Sequence, residues 1–425
     1  MSALESMIAS APGGEAPVLS ALAYELPAPS TAITDRKQSC RAYPTSASTL
    51  TFTGTRSVRI RIGGEDFIDP SSLRIMFTIN NTGAGNLAAQ TGPWGVWSQA
   101  FLRSNGVELD NIPYYGRFHQ QYGFAQLSLM DQLAAGNEGL GSSRWNPDGQ
   151  YEISDINAGL SLTVMHRLHF GLLSSGKLLP VKYAPLEIEL SMISNPADWL
   201  NTAGGNSSSF QIENVQILYD GYTLDEAVLQ SFYSALLRNK VMSIATMNAY
   251  QVVHPIPAGA TSISITSVRA FSRLAQVWLT FRQSTTAGRN YEFVCPGALP
   301  GEADVNNFAI SNGTSVPQAR LSIGPHNWPD PQAVTTAAEY HMMLTKALGY
   351  SPNISRKFFE EKAFTIVWDI KKNPMDPTSA VSTRSGDLVR VELTNLTANA
   401  ATECWMTLIS FGVCAIRESG VTLLT

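Results

Sequence analysis

Val58-Arg59-Ile60-Arg61-Ile62, closed by Gly63-Gly64, decides the class of the fold. Apolar and charged residues alternate one by one, so in an extended chain the aliphatic side chains share one face and the arginines the other. The stretch reads as a strand half buried on one face and stopped by a turn.

Working outward, the same texture recurs. Thr49 to Thr53 alternates upstream, and downstream strands are expected at Leu73 to Ile79, Phe101 to Leu109, Leu160 to Phe170, Leu186 to Ile193 and Phe210 to Tyr219. Turn-rich connections such as Asn81 to Gly92 and Gly204 to Ser209 separate them. Arg117 to Ala135 is too long for a strand and reads as a helix inserted in a β domain. Near residue 220 the period changes: Leu224, Val228, Leu229, Phe232 and Leu236 share one face at 3.6 spacing, which marks a joining helix.

The β texture then restarts. Strands are expected at Tyr250 to Ile256, Ser262 to Ile265, Gln276 to Phe281, Ala319 to Ile323, Ala363 to Ile370, Leu388 to Leu393 and Glu403 to Ala415, with a loop-rich stretch from Pro296 to Gln318. Asp330-Pro331 has the form of an N-cap followed by proline at the first helical position. It opens a helix with Val334, Ala337, His341, Leu344 and Leu348 in one stripe and Gly349 as its stop.

Many short strands with Gly- and Pro-rich turns close up as sandwiches or barrels, and 425 residues exceed the roughly 250–300 at which a single core stops growing. The expected fold is therefore mainly β, two antiparallel sandwiches in tandem with a few short helices in loops. The expected divisions are an Ala-, Pro- and Ser-rich N-terminal arm over 1–45, a first β domain over 46–222, a linker helix over 223–245 and a second β domain over 246–425.

Composition narrows the function. Charged residues make up 15% against the usual quarter or so, which suggests that much of the surface is covered. A net charge of −5, with Lys and Arg scattered, leaves no basic field to neutralise phosphates, so strong direct nucleic-acid binding is not expected. The four cysteines have no CxxC spacing and read as free thiols. Met1 to Leu22 lacks the basic start and unbroken apolar run of a secretory signal, and no stretch reaches the 18 or so apolar residues of a membrane span.

Catalytic patterns are missing. There is no GxSxG elbow, no SxxK with KTG, no P-loop, and no cysteine flanked like a protease thiol. His166 and His169 are the one close histidine pair. Three apart on a strand they point to opposite faces, so they are read as polar side chains at a strand's wet face or end, not as shared ligands. Neither a metal nor a cofactor is expected. Trp94 and Trp97, flanking Pro93 and Gly95, are read as loop anchors or a subunit interface.

Three segments of the second half carry a resemblance. Ser264 to Phe281 reads SITSVRAFSRLAQVWLTF, Ala319 to Gly349 reads ARLSIGPHNWPDPQAVTTAAEYHMMLTKALG, and Val381 to Leu393 reads VSTRSGDLVRVEL. In this order they resemble the major capsid proteins of polinton-like viruses and adintoviruses, within the double jelly-roll lineage of double-stranded DNA viruses. The matching positions are Arg269, Ser272, Arg273 and Leu274; Arg320 and the turn from Leu321 to Pro329; Ala337, Tyr340, Met343, Lys346 and Gly349; and Thr383, Arg384, Ser385, Gly386, Asp387 and Leu388. The match covers about a third of the chain.

The resemblance implies that each domain is an eight-stranded jelly roll. It further implies that three copies form a pseudo-hexameric capsomer, and that the capsomers tile an icosahedral shell around double-stranded DNA. Partners would be further copies of the chain, then penton and minor capsid proteins. The place would be the virion, after synthesis in the host cytoplasm or nucleus. Loops at Gly139 to Tyr151 and Tyr291 to Pro317 would project outward, and the arm over 1–45 would reach inward or sideways. Tyr340 and Thr383 to Asp387 join Trp94 and Trp97 as candidate structural or interface residues. From the residues alone, Arg384 to Asp387 are equally well a polar turn leading into a strand. Two other readings stay open: a β-sandwich adhesin or carbohydrate-binding protein, and an enzyme on a β scaffold.

Overall fold

A computed structural model describes residues 32–46, 48–123, 155–202, 204–237, 241–282, 317–329, 337–349, 359, 363–373, 379–396, 402–417 and 420–424. The opening stretch behaves as its alternation requires: in β2 (Ser57–Ile62) Val58, Ile60 and Ile62 are buried while Arg59 and Arg61 are exposed.

Among the described residues the strands form four antiparallel sheets. One holds β1 (Ile33–Ala42), β9 (Phe210–Leu224), β3 (Phe67–Asn81) and β6 (Ser161–Arg167) in that order, with β7 (Leu179–Pro180) pairing with β3. Its companion is β2, β8 (Leu186–Met192), β4 (Trp97–Ser104) and β5 (Val107–Ile112). The later strands repeat the plan. One sheet runs β10 (Met242–Pro255), β17 (Glu403–Arg417), β12 (Leu274–Arg282) and β15 (Thr365–Asp369), with β18 (Gly420–Leu424) on β17. The last runs β11 (Ser262–Ser267), β16 (Val389–Thr394), β13 (Gln318–Ile323) and β14 (His326–Trp328).

Setting aside β7 and β18, the two sets superimpose in connectivity: β1 to β6, β8 and β9 correspond in order to β10 to β17. Each set is a pair of four-stranded sheets, the eight-stranded jelly roll expected from the resemblance. The repeat is invisible as sequence similarity and plain as strand order.

Among the described residues three α-helices punctuate the rolls. A short turn, α1 (Tyr115–Phe118), continues as one wide turn to Gly123, and α3 (Ala337–Leu348) ends at Gly349 with φ 78°. They occupy the same place, after the fifth strand of each roll and before the sixth. Between the rolls stands α2 (Glu226–Leu237), with Asp225 accepting from the Ala227 N–H at its start.

Several expectations need amending. Phe101 to Leu109 is a hairpin, not one strand: Asn105 and Gly106 both take positive φ, 50° and 79°, the two-residue turn that joins β4 to β5. Thr49 to Thr53 makes a single bridge, Leu50 to Ile212, before a turn held by the Thr51 hydroxyl. Residues 33–42, expected in the arm, are β1, hydrogen-bonded along β9. The remainder of the arm up to 31, the loops at 139–151 and 291–316, the helix beyond Gly123 and the cap at Asp330-Pro331 lie outside the described residues.

Candidate functional site

The most heavily built region is the junction between the rolls. The central strands of the sheet β10-β17-β12-β15 are covered on both sides: every residue from Leu274 to Phe281 and from Cys404 to Gly412 is buried. One face is the second roll's own core. The other meets the first roll at α1 and the residues after it, where the Tyr122 ring stands edge-on to Trp278 at 5.3 Å and Tyr114 to Trp405 at 4.5 Å. The Arg117 guanidinium lies 4.4 Å from the Trp405 ring centre, a cation over an aromatic face. A buried polar chain crosses the seam: Gln251 donates to the Thr407 hydroxyl at 3.3 Å, which donates to Gln121 at 3.1 Å. Asn248 donates to the Leu109 carbonyl at 2.7 Å. Gly171 presses on the Met247 backbone so closely that a Cβ there would fall on its carbonyl oxygen.

The histidines belong to this region, and the reading of the pair as polar side chains at a strand's wet face or end fails for His166. His166 is buried on the inward face of β6 against Phe77, and β6 ends at Arg167, so His169 lies past the strand and turns back. Both meet His119, at ring separations of 5.4 and 4.4 Å, and Trp94 stacks on His119 at 4.4 Å. His166 is away from any wet face, while His169, at the strand's end, is half buried. His119 Nε2 and His166 Nδ1 both point at the Arg167 carbonyl, at 3.2 and 3.0 Å, so each of those nitrogens carries the proton. Burial, with neighbouring cations, pushes His166 down to about 4 and His169 to about 3, and His119 well below its ordinary value. All three rings are neutral at neutral pH. Beside them Asp110 accepts from the Gly171 and Asn111 N–H groups, and burial raises its carboxyl to about 7.

The rings and the Asp110 carboxyl are packed together inside the first roll beside the junction. Among the described residues no three of His, Cys, Asp and Glu are placed to hold a metal ion. A cleft of about 300 Å³ opens on the seam with two carboxylates, Asp198 and Glu403, of which Glu403 is engaged by Arg282 at 3.3 Å and by the Trp405 indole N–H at 3.3 Å. Cys404 and Cys414 are buried free thiols, and Cys40 is half buried.

The residues picked from sequence lie inside the fold more than on it. Trp94 and Trp97 are buried in the first roll, Trp94 donating to Gln120 at 3.1 Å and Trp97 packing edge-on to Phe77 at 5.2 Å. Tyr340 is fully buried and donates to the Pro317 carbonyl at 2.6 Å. Its counterpart after the fifth strand of the first roll is Tyr115, equally buried, whose hydroxyl accepts from the His169 N–H. Thr383 is buried and ties two matched segments together: its hydroxyl accepts from the Phe271 N–H and its own N–H donates to the Phe271 carbonyl, both at 2.8 Å. Arg384, Ser385 and Gly386 are exposed in a turn with local bonds, Ser385 to Asp387 at 2.6 Å and Gly386 at φ 92°. Sequence reasoning missed Gln121, Tyr122, Trp278, Trp405 and Thr407. The signal was present in the dominantly apolar composition of β12, LAQVWLTFR, whose apolar residues fall on both faces.

No family model matches the sequence, and no curated protein matches it. Solved structures do. The crystal structure of PBCV-1 VP54, as fitted into a cryo-EM reconstruction of the virophage Sputnik, aligns with TM-score 0.66 at 12% identity over 94% of this chain and 98% of that one. The cryo-EM structure of the Sputnik virophage gives 0.61 at 8% identity over 97% and 93%, and the Faustovirus major capsid protein 0.55 at 9% over 97% and 96%. The chain has the double jelly-roll fold of viral major capsid proteins. The likeness spans both rolls, so the double jelly roll is a property of the whole chain. Among the described residues no helix is long and apolar enough to cross a membrane.

Proposed function

We propose that this double jelly-roll chain is a viral major capsid protein, a structural subunit and not a catalyst. It assembles as homotrimers whose six rolls give a pseudo-hexagonal outline, and these tile an icosahedral shell enclosing a double-stranded DNA genome. The observation that carries the reading is the repeated eight-strand plan fused through a buried junction. Two like units held rigidly side by side are what a trimer needs to fill six positions from one gene product. The likeness to coat proteins over nearly the whole chain supports it.

In this reading the chain acts in the virion, after synthesis in the host cytoplasm or nucleus, and meets neighbouring capsomers, penton proteins and minor capsid proteins. The rolls are assigned to 46–222, with β1 at 33–42 as its first strand, and to 246–425, with the start of β10 at Met242, joined by the chain between. The exposed turn of Arg384, Ser385 and Gly386 is a contact point between copies, and the chain before β1 ties capsomers together.

Light scattering on the purified full chain tests the proposal. A mass of three times 46.0 kDa, or larger shells, is expected. A monomer at every concentration would shift the reading to a binding module. Removing residues 2–31 is expected to spare trimers and impair shells.

A further inference from the structure

A second cleft, of about 270 Å³, opens where β5 of the first roll meets β10 and the loop from Val268 to Arg273 of the second. It shares no lining residue with the cleft at Glu403. One wall carries Gln99 and Asn111, the other Tyr250, Arg269, Phe271 and Ser410. The loop is fixed from behind, because Thr383 holds Phe271 by both its N–H and its carbonyl.

On that base the Arg269 guanidinium lies 4.3 Å from the Tyr250 ring centre and 5.7 Å from that of Phe271. An aromatic face holds a guanidinium flat and leaves its in-plane N–H donors unused. Arg269 is exposed, and among the described residues no carboxylate bonds it. The two carboxylates of the cleft are placed otherwise: Asp110 is buried and accepts from the Gly171 and Asn111 N–H groups, and Glu108 is exposed on β5. Two further groups are free to donate. Gln99 donates to the Asn111 side-chain oxygen at 3.3 Å, which leaves the Asn111 amide nitrogen as a donor. Ser410 is 7% exposed, and among the described residues its hydroxyl has no hydrogen-bond partner. Leu109, Pro113, Phe411 and Leu423 add an apolar lining.

Donors converging beside an apolar wall select an anion with an apolar body. A dianionic phosphate would stand against Glu108 and Asp110, whereas a carboxylate brings one charge and matches the planar fork of arginine. We propose that Arg269, with Asn111 and Ser410, seats a carboxylate carried on an apolar body and that this ligand bridges the two rolls. Free organic acids and glutamate side chains of a peptide share that chemistry. A molecule bound there touches both rolls, so it holds the junction closed and raises the melting temperature by mass action. The inference stands apart from the shell-subunit reading, which survives its failure.

The test titrates the full-length chain with 3-phenylpropanoate and with a capped tripeptide of glutamate between two leucines. Each is compared with its neutral amide counterpart by saturation-transfer NMR, with thermal melting in parallel. At least one acid is expected to bind and to raise the melting temperature, with its amide at least tenfold weaker, and the acid that binds identifies the source. Arg269→Gln is expected to weaken binding at least tenfold while keeping the parent's ligand-free melt. Arg273→Gln removes the same charge from the same loop outside the cleft and is expected to leave binding unchanged. No binding by either acid, equal binding of acid and amide, unchanged binding in Arg269→Gln, or equal loss in both variants overturns the proposal.

Discussion

At the scale of single residues, the junction's ionisable groups set how stability depends on pH. A histidine whose folded value lies below its unfolded 6.5 is protonated first in the unfolded chain. Stability is therefore complete above 6.5 and falls as pH drops toward the folded value, about 4 for His166 and about 3 for His169. His166 alone accounts for about 3 kcal/mol by pH 4. Melting followed from pH 7 to pH 4 is expected to show a steep decline, and His166→Asn to flatten it; an equal slope in the variant would rule His166 out as a source. Asp110 runs the other way. Its carboxyl is raised from 3.8 to about 7, so its contribution is full below 3.8 and is lost as pH rises to 7. Asp110→Asn, which keeps one acceptor, is expected to melt higher than the parent at pH 8 and to lose that advantage at pH 4. Gly171 is the most constrained backbone position at the seam. Alanine there meets the Met247 carbonyl, which cannot rotate away, so Gly171→Ala is expected to cost about 3 kcal/mol in denaturant unfolding.

At the scale of elements, most strands were legible because their residues obey local rules. β2, β8 and β11 alternate, and α3 stops at the Gly349 that was read as its end. Failures trace to elements defined by partners. The strand β1, ITDRKQSCRA, is almost wholly exposed, so it has no buried stripe to read and is fixed only by its ladder to β9. The Asn105-Gly106 turn was a local signal overlooked between Phe101-Leu102 and Val107. The histidine cluster had no local signal, because His119 reaches His166 and His169 only through the placement of α1. Thr383 shows the same dependence on a partner: its segment reads as a polar turn, yet the residue clamps Phe271, more than a hundred positions away. Thr383→Val leaves the buried Phe271 N–H without its side-chain acceptor and is expected to cost about 1–3 kcal/mol, whereas Ser385→Ala in the exposed part of the turn stays within about 0.5 kcal/mol. Equal losses in chemical unfolding would mean that the buried clamp has no special weight.

At the scale of the molecule, the junction decides whether two rolls behave as two domains. Ordinary interdomain contacts inside a chain are polar and permit relative motion. Here Trp278, Trp405, Thr407, Gln121 and Gln251 are all buried at the seam, and the apolar residues of both rolls form one continuous cluster. Exposing that face by separating the rolls leaves two indoles and a hydrogen-bonded amide chain in water, so neither roll is expected to outlast the other. Calorimetry on the chain in its unassembled form is expected to give one transition for the two rolls together. Trp405→Ala removes the ring that Tyr114 and Arg117 rest on, at a cost of about 3–5 kcal/mol, and the loss falls on the contact between rolls rather than inside either. In that variant the single transition is expected to separate into two, with the first roll, held by β3 and β9, unfolding apart from the second. Two resolved transitions in the parent would instead make the rolls independent, and the rigid pairing that lets one chain occupy two positions of a shell would have to come from the neighbouring copies.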